Sequence, residues 1–219
     1  MDRVKWSARR RRTRAGTLLA AGLAALLGGC GAPEEPLRVG TNEWVGYQPL
    51  FLARSLGLLD DSEVRLVAFP SAREVLRAYR FGALDVAALT ADEALLLAET
   101  VPGQRVFLVC DFSKGADAIL GRPGIGSLAD LRGRRVGLEQ NALGAYLLGR
   151  ALELEGMTAG EVAAVPVPLL EHESALAEGR VDAIVTFDPV RSRLLAAGAS
   201  VLFDSSRIPG EIVDVLLAS

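Results

Sequence analysis

Segments with the pattern of β-strands alternate with segments with the pattern of helices along most of this chain. The first strand-like runs are Leu37–Thr41, Glu63–Phe69 and residues 84–90, and a run with apolar residues at helical spacing follows each of them. This order predicts a parallel sheet with helices on its faces, because parallel neighbours are joined through a crossover helix. The sequence therefore predicts an α/β fold.

The same alternation resumes in the second half of the chain. Further strand-like runs lie at residues 104–112, 135–138, 162–169, 181–187 and 199–204, and another begins near residue 211. Between the two series, residues 113–126 contain several glycines and show no periodicity, which is typical of a connection between two lobes. Two such lobes would leave a cleft at the carboxyl ends of their strands, where open parallel sheets bind ligands.

The sequence around three single residues predicts their local roles. Ser71 is expected to be the N-cap of a helix, with Glu74 completing a capping box three residues later. Cys110, in the apolar run VFLVC, is predicted to be an inert residue of a buried strand. His172, among the charges of LEHESAL, is predicted to lie on a solvated helix face.

The first 30 residues have the pattern of an export signal rather than of a fold. A head with seven Lys and Arg residues and one Asp precedes a 15-residue apolar run, which is shorter than the roughly 20 residues that span a bilayer. The sequence LGGC at Leu27–Cys30 has the form of a bacterial lipobox, which predicts cleavage before Cys30 and lipid on its sulfur. The alternative is an uncleaved N-terminal anchor helix.

The chain that such cleavage would leave is acidic. The full sequence has 24 Lys and Arg and 27 Asp and Glu residues. Removing the seven basic residues and the one acidic residue of the first 30 leaves 17 basic and 26 acidic residues, a net charge of −9. Nucleic acids and anionic membranes favour positive protein surfaces, so neither is expected as a partner of this domain. The sequence has no Cys/His cluster with metal-ligand spacing, no Gly-x-Ser-x-Gly elbow and no Walker-type loop, so no metal, cofactor or enzymatic activity is predicted.

Four segments, taken in order, resemble one protein family. They are GTNEWVGYQPLFLARSLGLL, LTADEAL, DFSKGADAILGRPGIGSLADLRGRRVGLE and FDPVRSRLLAAGASVLFDSSRIPGEIVDVLL. Together they are similar to the solute-binding proteins of bacterial ABC importers, in the SsuA/THI5-like group for nitrate, sulfonates, taurine and thiamine-pyrimidine precursors. Phe187-Asp188-Pro189 stands where that family usually has Trp-Glu-Pro, and the resemblance covers residues 37–219.

The resemblance implies a two-lobed periplasmic-binding-protein type II fold, in which each lobe is a mainly parallel sheet flanked by helices. The implied divisions are a signal peptide at 1–29, the lipidated Cys30 and a tether at 30–36, lobe one at 37–112, lobe two with the hinge crossings at 113–205, and a return toward lobe one at 206–219. Family members usually continue well beyond the position of Ser219. Lobe one is therefore expected to be incomplete, whether the chain is a fragment or a shortened member.

The resemblance also implies partners and a location. A small-molecule solute, an ABC permease in the inner membrane and the membrane itself, through lipid on Cys30, are the expected partners of a monomer. The protein would be exported and anchored in the cell envelope at its periplasmic face. Gly31 after the cysteine favours the outer membrane by resemblance to Gram-negative sorting, whereas a Gram-positive host would use its plasma membrane.

Ligand contacts in this family lie at strand ends and at the helix N-termini that follow, where free backbone N–H groups point into the cleft. The positions that this implies here are Thr41, Asn42, Trp44, Gly46, Tyr47, Ser71, Thr90, Asp92, Ser113, Gly115, Asp117, Glu139, Asn141, Gly144, Phe187 and Asp188. Trp44 and Tyr47 would stack on a planar ligand or enclose an apolar tail, and Gly46 would let the backbone approach it closely.

Several of these residues have a structural alternative. Trp44 would otherwise hold its helix against the sheet, and Ser71 would only cap a helix. Asp92 would cap the helix that follows it. Asp188 would do the same for its own helix, since Pro189 after it suits a first helical position. Asp117 would be a solvated loop charge.

The candidate residues include four carboxylates, at Asp92, Asp117, Glu139 and Asp188, and no Lys or Arg. A desolvated anion usually has a cationic or N–H-rich partner, so the set favours a neutral or amine-bearing heterocycle, such as an aminopyrimidine, over sulfonate or nitrate. Helix N-termini alone can hold an oxyanion, so the ligand class stays open. An enzyme of the same fold and an exported sensory or interaction module are the alternative functions.

Overall fold

The structure, a computed structural model, describes residues 35–219, and residues 36–219 form one compact unit. The export signal, the lipobox and Cys30 lie outside the described residues. Among those residues, no helix combines the length and the apolar character needed to cross a membrane.

Strands and helices alternate along the described chain. The strands are β1 (Leu37–Asn42), β2 (Val64–Phe69), β3 (Val86–Thr90), β4 (Arg105–Phe112), β5 (Ala118–Gly121), β6 (Arg135–Leu138), β7 (Ala163–Pro166), β8 (Ala183–Thr186), β9 (Ser200–Asp204) and β10 (Val213–Ala218). The α-helices are α1 (Gln48–Ser55), α2 (Ala72–Arg80), α3 (Ala91–Ala98), α4 (Ala142–Leu154), α5 (His172–Ala177) and α6 (Val190–Ala196).

The strands form two five-stranded sheets of matching design. The first has the order β2-β1-β3-β10-β4, and the second has the order β7-β6-β8-β5-β9. In each sheet the first three strands are parallel, and the fourth in the order runs antiparallel to both of its neighbours. We call the first sheet with α1–α3 the first lobe and the second sheet with α4–α6 the second lobe. The predicted α/β fold with two mainly parallel sheets is confirmed.

Each lobe has its own apolar core, and a further cluster joins the two lobes. Leu89 on β3 packs with Val75 and Leu97 from the helices of the first lobe. In the second lobe Ile119 on β5 packs with Leu152 on α4. The cluster between the lobes contains side chains from both, including those of the turn after β1 and of the β8 end.

Two antiparallel strands depart from the sequence prediction. Residues 113–126, predicted to be an irregular connection, contain β5, whose four residues are all buried between β8 and β9. A four-residue strand buried on both faces shows no alternation, so periodicity does not reveal it. The last strand, β10, lies between β3 and β4, so these two strands are not neighbours as a purely parallel order would make them.

The two lobes share an ion-pair arrangement at matching positions. Arg38, at the start of β1, donates from its backbone N–H and its Nε to Asp85 Oδ2 at 2.8 and 2.9 Å. In the second lobe Arg135, at the start of β6, donates in the same way to Asp182 Oδ2 at 3.0 and 3.2 Å. In both cases Nη2 of the arginine also donates to a glycine carbonyl three residues before the aspartate. The chain therefore contains two structurally related halves.

The β4 edge of the first sheet is apolar and open. Val106, Phe107, Leu108 and Val109 are each between 47% and 58% exposed. Cys110 is only half-buried, so its predicted place in a buried strand is wrong; an apolar run does not reveal whether another element covers it. Partial burial still raises the pKa of the Cys110 thiol to about 11, which keeps it protonated.

The predicted N-cap position of α2 is confirmed, but no capping hydrogen bond is formed there. Ser71 occupies the N-cap position with an extended backbone, but its side chain makes no capping hydrogen bond. Glu93 makes such a contact at α3 instead, where its Oε2 accepts the backbone N–H of Thr90 at 3.3 Å. That bond anchors a carboxyl group that is completely buried.

Candidate functional site

A pocket lies between the two lobes at the carboxyl ends of their parallel strands. The free space that it encloses is small, about 20 Å³, which is room for a single water molecule. Its walls combine aromatic, amide and acidic side chains from both lobes. The lining residues are Asn42, Trp44, Tyr47, Ala72, Thr90, Glu93, Asp117, Asn141, Leu143, Phe187 and Asp214.

Matching turns of the related halves form this pocket. Asn42 ends β1 and Trp44 follows it in the first lobe, and Asn141 follows β6 in the second. Thr90 ends β3, and Phe187 directly follows β8. The carboxyl ends of parallel strands meet at one edge of a sheet, and here the two edges face each other.

An aromatic contact closes one wall across the lobes. The rings of Trp44 and Phe187 are 5.7 Å apart with an interplanar angle of 81°, an edge-to-face arrangement. Tyr47 lies beside them and is 2% exposed, and its hydroxyl donates to Asp214 Oδ1 at 2.6 Å. The turn after β1 therefore contacts the second lobe through Trp44 and the last strand, β10, through Tyr47.

Gly46 serves the packing of this turn. A Cβ atom at Gly46 would lie 2.1 Å from Asp111 Oδ2 and 2.5 Å from Trp44 Nε1. Any side chain would displace both groups, so the close approach at Gly46 is made by protein side chains. Its predicted role as a point of close approach to a ligand has no support in this geometry.

Buried carboxyl groups crowd the same pocket. Glu93, Asp117 and Asp214 are 0%, 3% and 3% exposed. Burial, with the nearby charge of Asp92, raises the pKa of Glu93 to about 8. Burial, with the charges of neighbouring carboxylates, raises the pKa of Asp117 to about 6 and that of Asp214 to about 7. The ionised forms of these groups lack solvation and repel one another.

An adjoining pocket extends the cleft into the second lobe. Glu139, Asn141 and Gly144 line it, at the turn between β6 and α4. Asn141 caps α4, since its Oδ1 accepts the N–H of Gly144 at 2.9 Å. Burial raises the pKa of Glu139 to about 7, although Arg73 opposes the shift. The predicted turn therefore lies against the cleft, with its amide used to cap the helix.

His172 also lines this second pocket, so its predicted solvated position is wrong. It is 1% exposed, and Nε2 donates to the Val167 carbonyl at 3.2 Å. Its Nδ1 therefore accepts from the Thr186 hydroxyl at 3.0 Å. Burial lowers the pKa of His172 to about 4, so the ring is neutral at pH 7. Glu171 and Glu173, which flank it in the sequence, are exposed.

The predicted residues of the first crossing mainly hold the chain together. Ser113 Oγ lies 2.8 Å from Ser205 Oγ, and the N–H of Gly115 donates to the same Ser205 atom at 2.7 Å. Ser205, which the sequence did not single out, joins this crossing to the end of β9. Asp117 alone of this group lines the pocket, and its burial excludes a solvated loop charge.

Four other predicted residues lie near the pocket without lining it. Thr41 is fully buried with no hydrogen-bond partner for Oγ1, and Asp92 has a buried Oδ2 without a partner. Ser71 faces a wider outer groove. Asp188 Oδ1 accepts the backbone N–H of Ser192 at 3.1 Å, but the N-cap of α6 is Pro189, so Asp188 contacts the first turn from the position before the cap.

The sequence reasoning missed Glu93 and Asp214, two of the most buried acids of the site. Asp214 is a lone charge inside the apolar run IVDVLL, and that pattern is a signal for a buried functional or paired carboxylate. Glu93 stands three residues after Thr90, a spacing that fits a capping box. In the described part of the chain, no group of three or more His, Cys, Asp and Glu residues is arranged to hold a metal ion.

Comparison with known proteins identifies relatives of this arrangement. The sequence model of the NMT1-like family matches residues 31–216. A putative aliphatic sulfonates-binding protein of Escherichia coli (strain K12) is 29% identical over 180 residues, which cover 78% of this chain and 56% of that protein. The chain thus spans little more than half the length of this curated relative.

Solved structures show the same fold. The periplasmic aliphatic sulphonate binding protein SsuA from Escherichia coli matches with a TM-score of 0.70 and 27% identity, over 84% of this chain and 65% of its own. The alkanesulfonate-binding protein SsuA from Xanthomonas axonopodis pv. citri, bound to MOPS, matches with a TM-score of 0.71 and 24% identity, over 86% and 67%. All three relatives are described as binding proteins, and none of them as an enzyme.

Proposed function

The chain belongs to the NMT1-like family, and from this membership we propose that it is the solute-binding component of an ABC importer. It captures a small molecule in the cleft between its lobes and delivers it to a permease in the membrane. The observation that carries this proposal is the pocket at the facing strand ends, whose walls come from both lobes. A ligand that contacts both walls favours the closed arrangement, and closure is the signal that a permease can recognise.

The residues of the pocket fit capture better than chemistry. Asn42, Thr90 and Asn141 offer neutral hydrogen-bonding groups, and Trp44 with Phe187 offers an apolar wall. A few polar groups in an apolar and aromatic wall are typical of small-molecule binding sites.

The protein is proposed to act outside the cytoplasm, at the periplasmic face of the envelope. The lipobox at residues 27–30 supports a lipid on Cys30 as its membrane anchor. Cell fractionation tests the anchor directly: the protein should be in the membrane fraction, and its Cys30→Ser variant should not. A Cys30→Ser variant that stays with the membrane would contradict lipid anchoring.

Thermal unfolding tests solute capture. The purified protein is screened against amines, aminopyrimidines, alkanesulfonates, taurine, nitrate and neutral sugars. A solute at a hundred times its dissociation constant should stabilise the fold by about 2.7 kcal/mol, which raises Tm by roughly 5 to 11 °C for a domain of this size.

Variants at the aromatic wall locate the binding. Phe187→Leu should weaken binding at least tenfold while the protein still folds, because the edge-to-face contact and the flat wall are lost together. Phe107→Leu on the exposed β4 edge is the matched control and should bind normally. If no solute of the panel raises Tm, or if Phe187→Leu binds the solute as tightly as Phe107→Leu does, the proposal of solute capture in this cleft is wrong.

A further inference from the structure

Within residues 35–219, the pocket between the lobes is lined by several acidic side chains and by no basic one. Glu93, Asp117 and Asp214 line it, and Glu139 lines the adjoining pocket. Among the described residues, neither lining includes Lys or Arg, and the one histidine is uncharged at pH 7. Arg73 lies close by, but its Nη1 donates at an exposed position to Gln140 at 3.3 Å.

One carboxylate oxygen of this group has no partner. Glu93 is 0% exposed, its Oε2 accepts the Thr90 N–H, and its Oε1 has no hydrogen-bond partner. A buried carboxylate oxygen without a donor costs free energy, and native proteins seldom leave one in place without a purpose. Since Glu93 lines the pocket, a donor supplied by the solute is the natural partner of this atom.

The aromatic wall suits the same kind of solute. Trp44, Tyr47 and Phe187 border the acids, and the faces of aromatic rings attract organic cations. A sulfonate in this pocket would face several acidic groups, and neither of the two linings, as residues 35–219 form them, offers a guanidinium or ammonium group to pair with it.

Resting on the proposed solute-binding function, we propose that the cleft selects an organic cation, with an ammonium or amidinium group placed between Glu93 and Asp214, and rejects sulfonates. The solute donates to Glu93 Oε1 and lies against Trp44 and Phe187. This assignment differs from the aliphatic sulfonates named for the relatives of the chain.

Proton release on binding gives a test of the assignment that does not depend on the affinity. The pKa values of Glu93, Asp214 and Glu139, about 8, 7 and 7, mean that these groups are partly protonated near neutral pH. A bound cation stabilises their ionised forms, so binding releases protons and strengthens as pH rises from 6 to 8. A bound anion would take up protons and would bind more weakly over the same interval.

The experiment uses charge-matched pairs of probes on the purified protein. Isothermal titration calorimetry compares butylammonium with butanesulfonate and benzylammonium with phenylmethanesulfonate, each in two buffers of different ionisation enthalpy. The ammonium members are expected to bind at least a hundredfold more tightly than their sulfonate partners, with release of protons.

Two variants and a control place the cation. Glu93→Gln keeps the shape and the acceptor for Thr90, and it should weaken ammonium binding at least tenfold and reduce the proton release. Asp214→Asn is the second variant; it keeps an acceptor for the Tyr47 hydroxyl and should weaken ammonium binding severalfold. Glu99→Gln, at an exposed position just past the end of α3, is the control and should bind as the unaltered protein does.

Each outcome decides between the two proposals. Sulfonates that bind more tightly than ammonium probes would overturn the cation assignment and leave solute capture intact. Ammonium binding that is unchanged in either Glu93→Gln or Asp214→Asn would also overturn it, because the cation would then not lie between these two groups. If neither these probes nor the wider panel bind, solute capture itself fails, and the cation assignment fails with it.

Discussion

Replacing Glu93 by glutamine should stabilise the empty protein, because this glutamate is buried without a cation. Burial raises the pKa of Glu93 from its ordinary value of 4.5 to about 8. Below pH 4.5 the group is protonated in both the folded and the unfolded protein and costs nothing. As pH rises from 4.5 to 8 the unfolded chain loses the proton first, so the folded state loses stability relative to it.

The size of the effect follows from the shift. A shift from 4.5 to about 8 corresponds to about 5 kcal/mol once the pH exceeds both values, at about 1.4 kcal/mol per pKa unit. Removing one charge also lets the neighbouring carboxyls ionise more readily, which takes back part of the gain. We therefore expect Glu93→Gln to stabilise the fold at pH 8 by about 2 to 3 kcal/mol, or roughly 5 to 10 °C in Tm.

The acidic groups that face Glu93 shift its pKa in the same direction as burial does. Asp92 and Glu139 raise its pKa, and the Thr90 contacts oppose them. The other ionisable groups around the cleft are Tyr47, Asp111, Asp117, Asp188, Asp214, Arg73 and His172.

Thermal melts of the empty protein between pH 4 and 9 measure the effect. The Tm advantage of Glu93→Gln should be absent near pH 4 and should grow steadily up to pH 8. Glu99→Gln should follow the unaltered protein at every pH. A Glu93→Gln variant that is less stable at pH 8, or an advantage that does not depend on pH, would refute the reasoning, because Glu93 would then be a paired and stabilising carboxylate.

Three further predictions concern the packing and the ion pairs of the fold. Gly46→Ala should destabilise the protein by about 1 to 3 kcal/mol, because the new methyl group overlaps the Trp44 indole and the Asp111 carboxylate. Gly149→Ala, in open space on α4, is the control and should be neutral or stabilising in the same denaturant melts. Asp182→Asn should cost more stability than Asp85→Asn, because Asp182 is nearly buried and faces two arginines while Asp85 is a third exposed; equal losses in urea unfolding would contradict this. His172→Ala should cost about 1 to 3 kcal/mol of stability at pH 7, because the Val167 carbonyl and the Thr186 hydroxyl lose their partner. This loss should shrink as pH falls from 6.5 to 4, because the unfolded form of the unaltered protein then gains a proton on His172 that the folded form does not take up.

Local patterns predicted the fold class, because helix and strand periods are written into each segment. The strands before and after α2 and the helix α4 with its Gly156 end could be recognised from spacing alone. The insertion of β10 between β3 and β4 could not, because pairing between strands more than a hundred residues apart leaves no local period. Internal similarity is a stronger signal: Arg-Val-Gly at 38–40 recurs at 135–137, and Asp85 matches Asp182 at the same offset.

The site was predicted better in its turns than in its charges. Trp44, Tyr47, Asn141 and Phe187 lie at strand ends, and the expected cleft brings them together. His172 was placed on the surface because its sequence neighbours are charged, but on a helix the neighbours in sequence point in different directions. Whether a single polar residue on a helix is buried depends on which other elements pack against its side of the helix. The neighbouring sequence does not show which elements these are.

The buried acids also bear on how a cleft of this kind would respond to its solute. Glu93 in the first lobe and Glu139 in the second raise each other's energy when both are ionised, so closing the lobes brings like charges together. If the solute is a cation, it removes this repulsion only when it is bound, and closure of the empty protein stays unfavourable. A neutral solute would leave the repulsion in place, and an anion would add to it. The same carboxylates that weaken the empty fold would then make the closed form depend on the cargo, which is the discrimination that a permease needs to tell loaded protein from empty protein.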